Sequence, residues 1–417
     1  MNLKIKREAS SESKSKSFIF IERKLDKKRL SEKEINEIIK DIVNNSLPEA
    51  EISLFVLAMY KYGMNMKETI YLTKAILNSG DKLKLENKLI VDKHSIGGIA
   101  GNRTTPIVVS ICAAAGLIMP KTSSRAITSA AGTADVIETI AKVNFPVSEL
   151  RKIIKKTNAC MVWGGALGLV PADSKIIKVE KILKIDPEAQ LLASIMSKKL
   201  AVGSKYILID IPYGKSAKVT KLKALKLKKK FEYLGRYFKR KLRVILTDGK
   251  EPIGNGIGPS LELTDVINIL DPEKQGPRDL EKKSLFIAGK LFELTKKAEN
   301  GLDLAEKILY SGKAYDKFRQ IIKAQNGSFK KIKLARLKYD ILSKKSGKII
   351  EIDNKKINSL VRMAGSPLDK SSGIYLYFHV GDKIKKREKI LTIYSESKFR
   401  LKEAIKFYNK EKPIKIK

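Results

Sequence analysis

The chain has 417 residues, which is enough for about two or three domains with separate cores. Lysine and arginine number 85 against 45 aspartates and glutamates, a formal net charge of +40, and 43% of the residues are hydrophobic. This composition excludes a disordered or collagen-like chain. The sequence has neither an apolar run long enough to span a membrane nor an apolar N-terminal segment, so we predict a globular protein of the cytoplasm.

The high positive charge by itself does not predict a nucleic-acid partner. Lysines are spread through the whole chain, aromatic residues make up 7%, and no RNA-binding signature interleaves the two. Cys112 and Cys160 lie in apolar surroundings, and the two histidines form no cluster with them at metal-ligand spacing. We therefore predict buried reduced thiols, no metal and no specific nucleic acid.

The N-terminal part predicts a small helical subdomain behind a disordered tail. Residues 1–17 are rich in lysine, serine and glutamate, which indicates disorder. Ser31 with Glu34 forms a capping box, Pro48 opens a second helix, and Asn65 caps a third helix that ends near Asn78. We place this subdomain at residues 30–85 and expect residues 174–203 to complete it.

Alternating strands and helices follow. KLIVDKHS (residues 88–95), ACMVWGG (159–165), YILIDIP (206–212) and RVILTD (243–248) read as buried strands separated by helical patterns. We predict an α/β phosphate-binding domain over residues 88–173 and 204–330, with a mixed or parallel sheet and helices on both faces. A glycine-rich loop at 249–258 follows a strand and is expected to rim a ligand pocket.

A basic segment and the C-terminal part of the chain allow two further predictions. Residues 214–241 contain twelve basic residues and one acid, and this segment is either a polyanion-binding surface or a helix whose lysine-covered face meets solvent. Short strand patterns from about residue 344 predict a C-terminal α+β domain over residues 335–417.

The stretch 92–135 carries the strongest functional signal. Two runs dense in glycine, serine and threonine flank an apolar segment, residues 106–119, that must be buried. Its core, VVSICAAAG (residues 108–116), reads as a helix of small residues that brings the two runs close together. Glycines and hydroxyl residues allow backbone N–H groups to approach an anion, and Lys93, Arg103, Lys121 and Arg125 supply countercharge. These runs are either phosphate-binding loops or ordinary turns.

Motifs across most of the chain carry a family resemblance. They are Lys93-His94-Ser95 with Gly97-Gly98, Ser123-Ser124-Arg125 with Gly132-Thr133, NACMVWGGALGLVPAD (158–173), IDPEAQLLASIMSKK (185–199), IDIPYGKSAKV (209–219) and TDGKEPIGNGIGPSLE (247–262). This pattern resembles the thymidine/pyrimidine-nucleoside phosphorylase family and is closest to its archaeal AMP phosphorylase branch. The resemblance implies a nucleoside phosphorylase fold, a C-terminal domain far from the glycosidic chemistry, a homodimer, and the loss of most of the extra N-terminal domain of that branch.

The resemblance also assigns site residues. It implies that phosphate is bound among Lys93, Ser95, Thr105, Ser123 and Thr133, with Thr104 as a substitute for Thr105. It implies AMP contacts from Gly98, Ser124, Arg125, Ala126, Ile127, Thr128, Ser129, Thr133, Ser194, Lys198 and Lys218. Asp186 matches the proton donor to the leaving base, and His94 matches a residue that touches the base. The residues themselves also predict a helix start, with Asp186 at the Ncap position and Pro187 at N1.

The reaction implied by the resemblance is phosphorolysis of AMP to adenine and ribose 1,5-bisphosphate, with CMP and UMP as further candidate substrates. This makes the protein a pentosyltransferase of nucleotide salvage that uses inorganic phosphate as co-substrate and needs no cofactor. Residues 179–181 read Val-Glu-Lys where the pyrimidine enzymes carry an Arg-Asp pair that reads the base, which argues against thymidine. Two alternatives stay open: a thymidine or pyrimidine-nucleoside phosphorylase, and an inactive nucleic-acid-binding protein that uses residues 214–241.

Overall fold

A computed structural model describes residues 15–85, 89–126, 129–166, 168–329 and 332–417. The chain divides into two compact units, Met1–Asp81 with Val170–Ser197 and Lys82–Leu169 with Lys198–Lys417. The predicted fold class is confirmed: a helical domain, an α/β domain with parallel strands, and a C-terminal α+β region. The predicted disordered tail falls almost entirely outside the described residues.

The secondary-structure elements of the described residues are numbered in chain order. The helices are α1 (Phe18–Leu25), α2 (Glu32–Asn44), α3 (Glu49–Tyr62), α4 (Met66–Asn78), α5 (Thr104–Ala114), α6 (Thr133–Ile137), α7 (Val147–Thr157), α8 (Pro171–Leu183), α9 (Glu188–Ala201), α10 (Lys221–Tyr237), α11 (Pro259–Leu270), α12 (Arg278–Thr295), α13 (Gly301–Tyr310), α14 (Lys313–Ala324), α15 (Asn354–Ala364) and α16 (Lys398–Glu411). The strands are β1 (Val91–Ser95), β2 (Met119–Ser123), β3 (Ala159–Trp163), β4 (Tyr206–Tyr213), β5 (Lys241–Asp248), β6 (Gly256–Ile257), β7 (Leu337–Leu342), β8 (Gly347–Ile352), β9 (Gly373–Leu376), β10 (Lys383–Ile384), β11 (Lys389–Ser395) and β12 (Ile414–Ile416).

Local sequence signals set the helix ends of the helical unit. The predicted capping boxes at Ser31 and Asn65 are both confirmed, because each side chain accepts from the backbone N–H three residues on and the glutamate there reaches back. Sequence analysis missed α1, a short helix whose Lys24 forms a buried ion pair with Glu68 of α4, at 2.8 Å.

Helix α3 buries part of its apolar surface within the helical unit. Phe55 and Met59 are buried within the helical unit, because α1 and α8 both pack on α3. Leu57 and Tyr60 remain 43% and 56% exposed.

The parallel strands of the second unit follow the order β3-β2-β1-β4-β5. Hydrogen bonds join β3 to β2 and β1 to β4 to β5, and a parallel bridge between Ile90 and Ile118 connects the two groups. The chain runs from β1 outward to β2 and β3, then returns to β4 and continues to β5 on the other side. The direction of winding therefore reverses between β1 and β4, and ligands of doubly wound sheets bind at the carboxyl ends of the strands at such a reversal.

Helices α5 and α10 illustrate two kinds of burial. Helix α5 begins at Thr104, earlier than the predicted segment, and is buried along almost its entire length, including Cys112. Helix α10 forms most of the basic segment 214–241 and packs on β4 and β5, with Leu227 and Phe231 buried while its lysines lie on the outer side. This arrangement is the one expected of a lysine-covered solvent face.

The C-terminal region is joined to the α/β region through the glycine-rich loop 249–258. Strand β6 lies within that loop and pairs with β9, which continues through β11 to β7. Helix α15 in addition hydrogen-bonds the backbone of loops 96–103 and 124–132. The C-terminal region therefore contacts both glycine-rich loops, whereas the resemblance implied a domain far from the glycosidic chemistry.

Candidate active site

The carboxyl ends of β1 and β2 bring the two glycine-rich runs to one edge of the sheet. The parallel bridge between Ile90 and Ile118 sets the register, so counting onward places Lys93 level with Lys121 and Ser95 level with Ser123. Each strand then ends, and the loops 96–103 and 124–132 begin. The predicted phosphate-binding residues on β1 and β2 therefore share this edge.

Lys93 is buried and held by neutral and charged neighbours. Its Nζ donates to Thr104 Oγ1 at 2.6 Å. Burial lowers its pKa to about 7, the Asp210 carboxylate opposes that shift, and Lys283 and Arg103 reinforce it. Lys283 Nζ lies 3.3 Å from Asp210 Oδ2. An ammonium whose proton is weakly held will gain stability from an anion placed beside it.

A second buried group lies around Asp92 on β1. Lys199 Nζ donates to Asp92 Oδ2 at 2.7 Å, and Lys121 Nζ is 3.7 Å from Asp92 Oδ1. Burial lowers the pKa of Lys199 to about 7, although Asp92 opposes that shift, and the pKa of Lys121 is lowered as well. Burial and the nearby lysines, Lys199 first, hold the pKa of His94 well below its usual range. His94 is therefore a neutral imidazole at pH 7.

Arg103 ties the two loops together. Its Nε donates to Glu262 Oε2 at 2.6 Å, while its two terminal nitrogens donate to Thr133 Oγ1 and to the Ala131 carbonyl, each at 2.8 Å. Both charged side chains are buried. The pair thus links the end of loop 96–103 to the end of loop 124–132 and to α11.

Positive charge exceeds negative charge among these buried contacts. The ion pairs around Lys93, Asp92 and Arg103 involve five cations and three carboxylates, an excess of two positive charges when all are ionised. The cations are Lys93, Lys121, Lys199, Lys283 and Arg103, and the carboxylates are Asp92, Asp210 and Glu262. Such an excess favours an anionic ligand, because buried charge is costly unless it is paired.

Hydroxyl groups at the edge are positioned to donate. Thr104 Oγ1 accepts from Lys93 and Thr133 Oγ1 accepts from Arg103, so each has its own O–H hydrogen to offer another acceptor. Among the described residues, Ser123 Oγ is buried without a hydrogen-bond partner. Hydroxyl donors of this kind suit the oxygens of a tetrahedral oxyanion.

Loop 96–103 approaches the loop after β4 very closely. Gly98 has φ +93°, and a Cβ added there would lie 2.7 Å from Lys218 Cβ and 2.8 Å from Lys218 N. Only glycine fits this contact without a shift of the backbone. The structure therefore brings together Gly98 and Lys218, two residues that the family resemblance assigned to AMP.

Loop 124–132 is shaped by a carboxylate at the start of α6. Asp135 Oδ2 accepts from the backbone N–H groups of Ala126 and Gly132, at 2.7 and 2.8 Å. Arg125 forms a bidentate pair with Glu138, with both distances 2.6 Å, and its guanidinium lies over the Trp163 ring. The hydrogen bonds from Arg125 lower the pKa of Glu138 to about 2. Ile127 and Thr128 lie outside the described residues.

The remaining predicted residues lie on or before α9. Asp186 and Ser194 belong to the helical unit, and Lys198 belongs to the second unit. Ser194 and Lys198 are four residues apart and share one helix face. The first helical hydrogen bond runs from Leu191 N to the Pro187 carbonyl, at 2.9 Å. Pro187, rather than Asp186, therefore holds the Ncap position, because the Ncap carbonyl is the one that accepts that bond.

Sequence reasoning missed several residues of the site. Asp92, Lys199, Asp210 and Lys283 carry buried charge, and Thr104 rather than Thr105 contacts Lys93. The signal in Asp92 and Asp210 was a charged residue inside an otherwise apolar strand, which is unfavourable without a partner. Thr105 is buried in the first turn of α5.

Two features of the described part of the chain bear on metal binding and on membranes. No group of three or more histidine, cysteine or acidic side chains in those residues is placed to hold a metal ion. None of the helices found there has the length and apolarity that crossing a bilayer requires. Both cysteines are buried free thiols, as predicted, and burial raises their pKa.

Comparison with known proteins identifies the class. Residues 19–80 match the glycosyl transferase family helical bundle domain, residues 87–315 match the a/b domain of the same family, and residues 348–415 match the pyrimidine nucleoside phosphorylase C-terminal domain. The solved structure of anthranilate phosphoribosyltransferase from Thermus thermophilus shares the fold, with a TM-score of 0.60, 17% identity and coverage of 74% of this chain and 99% of that one. The protein is an enzyme of the pentosyltransferase and phosphorylase class.

Curated relatives narrow the class to a family. An AMP phosphorylase of Thermococcus sibiricus is 45% identical over 404 residues, which is 95% of this chain and 80% of that protein. An AMP phosphorylase of Archaeoglobus fulgidus is 41% identical over 97% of this chain and 81% of its own, and a putative thymidine phosphorylase of Legionella pneumophila is 44% identical over 91% and 74%. The chain belongs to the thymidine and AMP phosphorylase family.

Proposed function

We propose that the protein is an AMP phosphorylase, which converts AMP and inorganic phosphate to adenine and ribose 1,5-bisphosphate. Relatives named AMP phosphorylase match 95–97% of the chain at 41–45% identity. The observation that carries the chemistry is the excess of buried positive charge at the carboxyl edge of β1 and β2. An enzyme that binds both a nucleotide phosphate and a free phosphate needs such an edge.

The attacking phosphate is assigned to the edge formed by β1 and β2. Lys93 supplies charge, and Ser95, Thr104, Ser123 and Thr133 supply hydroxyl donors. The contact from Lys93 to Thr104 favours Thr104 over Thr105 for this role. Holding phosphate in line with C1′ of the ribose converts the attack into a step within one complex, which lowers the entropic part of the barrier.

The nucleotide is assigned to Gly98, Lys218 and the loop 124–132, with Ser194 and Lys198 toward the base. Asp186 is assigned the proton that the leaving adenine takes up, because negative charge develops on the base as the glycosidic bond breaks. His94, neutral at pH 7, is assigned a hydrogen bond to the substrate rather than proton donation as an imidazolium.

A panel of substrates tests this function. We expect release of free base from AMP in the presence of phosphate, and CMP and UMP are measured as further substrates. The Val-Glu-Lys at 179–181 predicts little activity with thymidine. Activity on thymidine with none on AMP would assign the protein to the function of its Legionella relative instead. Salt-sensitive RNA retention with no phosphate-dependent base release would support the inactive nucleic-acid-binding alternative.

Asp186→Asn tests the assigned proton donor. We expect turnover to fall by ~10²–10⁴-fold while AMP affinity stays nearly unchanged, since general-acid assistance contributes about that much. Pro187 holds the Ncap position, so helix α9 should keep its start. A drop in melting temperature large enough to explain the lost activity by unfolding would show that Asp186 has a structural role only.

We also propose a homodimer in the cytoplasm. Ile19, Leu57 and Tyr60 of the helical unit are each more than two-fifths exposed, which suits an isologous contact. Light scattering at low and high salt measures the assembly, and high salt is included because the net charge of +40 opposes association. A monomer under both conditions, or a particle of six or more chains, would refute the dimer.

A further inference from the structure

One face of α15, in the C-terminal region, carries polar side chains that hydrogen-bond to the backbone of loops 96–103 and 124–132. Asn354, Asn358 and Arg362 are spaced four residues apart, so they form a row along the helix. Each makes a hydrogen bond to the backbone of a loop that the family resemblance links to substrate. The row therefore connects the C-terminal region to both glycine-rich runs.

Asn354 joins three separate loops. Its Oδ1 accepts from the Ala100 N–H at 3.0 Å, and its Nδ2 donates to Ser216 Oγ and to the Gly249 carbonyl, both at 3.2 Å. The side chain is fully buried. Ala100 is two residues from Gly98, and Ser216 is two residues from Lys218, so this amide fixes the backbone on both sides of the Gly98–Lys218 contact.

Asn358 and Arg362 hold the second loop. Asn358 Oδ1 accepts from the Ala130 N–H at 2.8 Å, and Arg362 donates to the Ser129 carbonyl at 2.9 Å. Beyond the helix, Ser366 Oγ donates to the Ala130 carbonyl at 3.2 Å. Asn358 is only 5% exposed, so its amide oxygen is an acceptor that water does not readily replace.

We propose that Asn354 and Asn358 are positioning residues, which hold loops 96–103 and 124–132 in the geometry that binds substrate. A buried amide is well suited to this task, since it accepts from a backbone N–H in a fixed direction and carries no charge to disturb the lysines at the edge. The catalytic consequence rests on the proposed function, whereas the structural attachment of the loops does not.

Amide hydrogen exchange on the ligand-free protein tests the attachment directly. We expect Asn358→Ala to speed exchange of the peptide that contains Ala130 by about tenfold, because the N–H loses its acceptor. Asn358→Asp retains an acceptor oxygen and should restore slow exchange. Ser359→Ala, one residue along on the exposed side of α15, is the matched control and should leave exchange unchanged. Unchanged exchange at Ala130 in Asn358→Ala would overturn the proposal.

Steady-state kinetics then test the consequence for catalysis. With AMP and phosphate varied separately, Asn358→Ala should raise KM for AMP about tenfold, change KM for phosphate by less than about twofold, and be rescued by Asn358→Asp. A fall in kcat with both KM values unchanged, together with a lower Tm, would show a purely structural role and overturn the proposal. A wild-type chain that is inactive on AMP would refute the proposed function alone, since faster exchange at Ala130 would still support the attachment.

Discussion

The loop after β1 (96–103) and the loop after β2 (124–132) end at the same sheet edge, but different interactions hold them. The first lies beside buried charge: Lys93 precedes it, Arg103 ends it, and Gly98 packs directly on the backbone of Lys218. The second is shaped by carboxylates, since Asp135 caps its N–H groups and Glu138 pairs with a partly exposed Arg125. The first loop therefore lies beside buried cations, and the second is held mainly by hydrogen bonds to carboxylate and amide oxygens, of which the Arg125–Glu138 pair is partly exposed.

The cations beside the two loops differ in how their charge depends on pH. Buried Lys93 has a pKa of about 7, so its charge responds to a neighbouring anion, whereas hydrogen bonds to Glu138 raise the pKa of Arg125, which stays charged at any pH of interest. Under the proposed assignment, an attacking phosphate beside Lys93 would stabilise the protonated form of that lysine. A nucleotide beside Arg125 would meet a charge that does not change with pH.

The largest effect is expected at Lys93. Lys93→Met keeps the length of the side chain and removes its charge, and we expect kcat/KM for phosphate to fall by ~10²–10³-fold, as for other buried electrostatic groups that stabilise developing charge. Thermal stability should hold or rise, because burial makes the charged form of Lys93 costly and the methionine carries no charge. A loss of less than about threefold would break the comparison, since the first loop would then not depend on buried charge.

A smaller loss is expected at the contact between Gly98 and Lys218. Gly98→Ala places a Cβ within 2.8 Å of the Lys218 backbone at a φ of +93°, a strain of about 1–3 kcal/mol. If that strain destabilises the loop conformation that binds AMP, KM for AMP should rise ~10–100-fold. Gly63→Ala is the matched control, because its φ is also positive and nothing lies within 4 Å of the added Cβ.

The pH dependence of anion binding tests the titration of Lys93. Burial lowers its pKa to about 7, so the free protein loses this proton above pH 7, whereas a bound anion favours the protonated form. Sulfate inhibition, measured because sulfate does not titrate in this range, should therefore weaken by about tenfold per pH unit above pH 7 for one coupled proton. In Lys93→Met the dependence should flatten, and a flat profile in the unmodified protein would contradict the assignment.

The smallest effect is expected in the second loop. Glu138→Gln removes the charge that pairs with Arg125, but Arg125 is about one-third exposed, and exposed ion pairs contribute ~0–1 kcal/mol. We expect kcat/KM to change by less than about fivefold, with sensitivity to salt. A loss as large as that of Lys93→Met would show that the two loops depend equally on charge.

Local patterns in the sequence predicted much of this protein. The capping boxes at Ser31 and Asn65, the strand ending at Ser95 and the buried helix between the two runs follow from side-chain chemistry within a few residues. Strand β2 (Met119–Ser123) was missed. Helix α1 was missed because it is a single short amphipathic segment next to a polar tail. Asp186 was given the Ncap position because helix starts are uncertain by one or two residues.

Only the tertiary structure decided how distant segments meet at the site. Lys199 reaches Asp92 across 107 positions, and Asn354 reaches Ala100 across 254. Neither pairing has a local signature, because a lysine or an asparagine reads as a surface residue until burial forces it to find a partner. The sequence by itself indicated β1, β3, β4 and β5, the two glycine-rich runs, and the small hydroxyl residues and cations within those runs. The tertiary structure alone decided that these residues meet at one sheet edge, because the parallel pairing of β2, β1 and β4 aligns the ends of those strands beside buried charge.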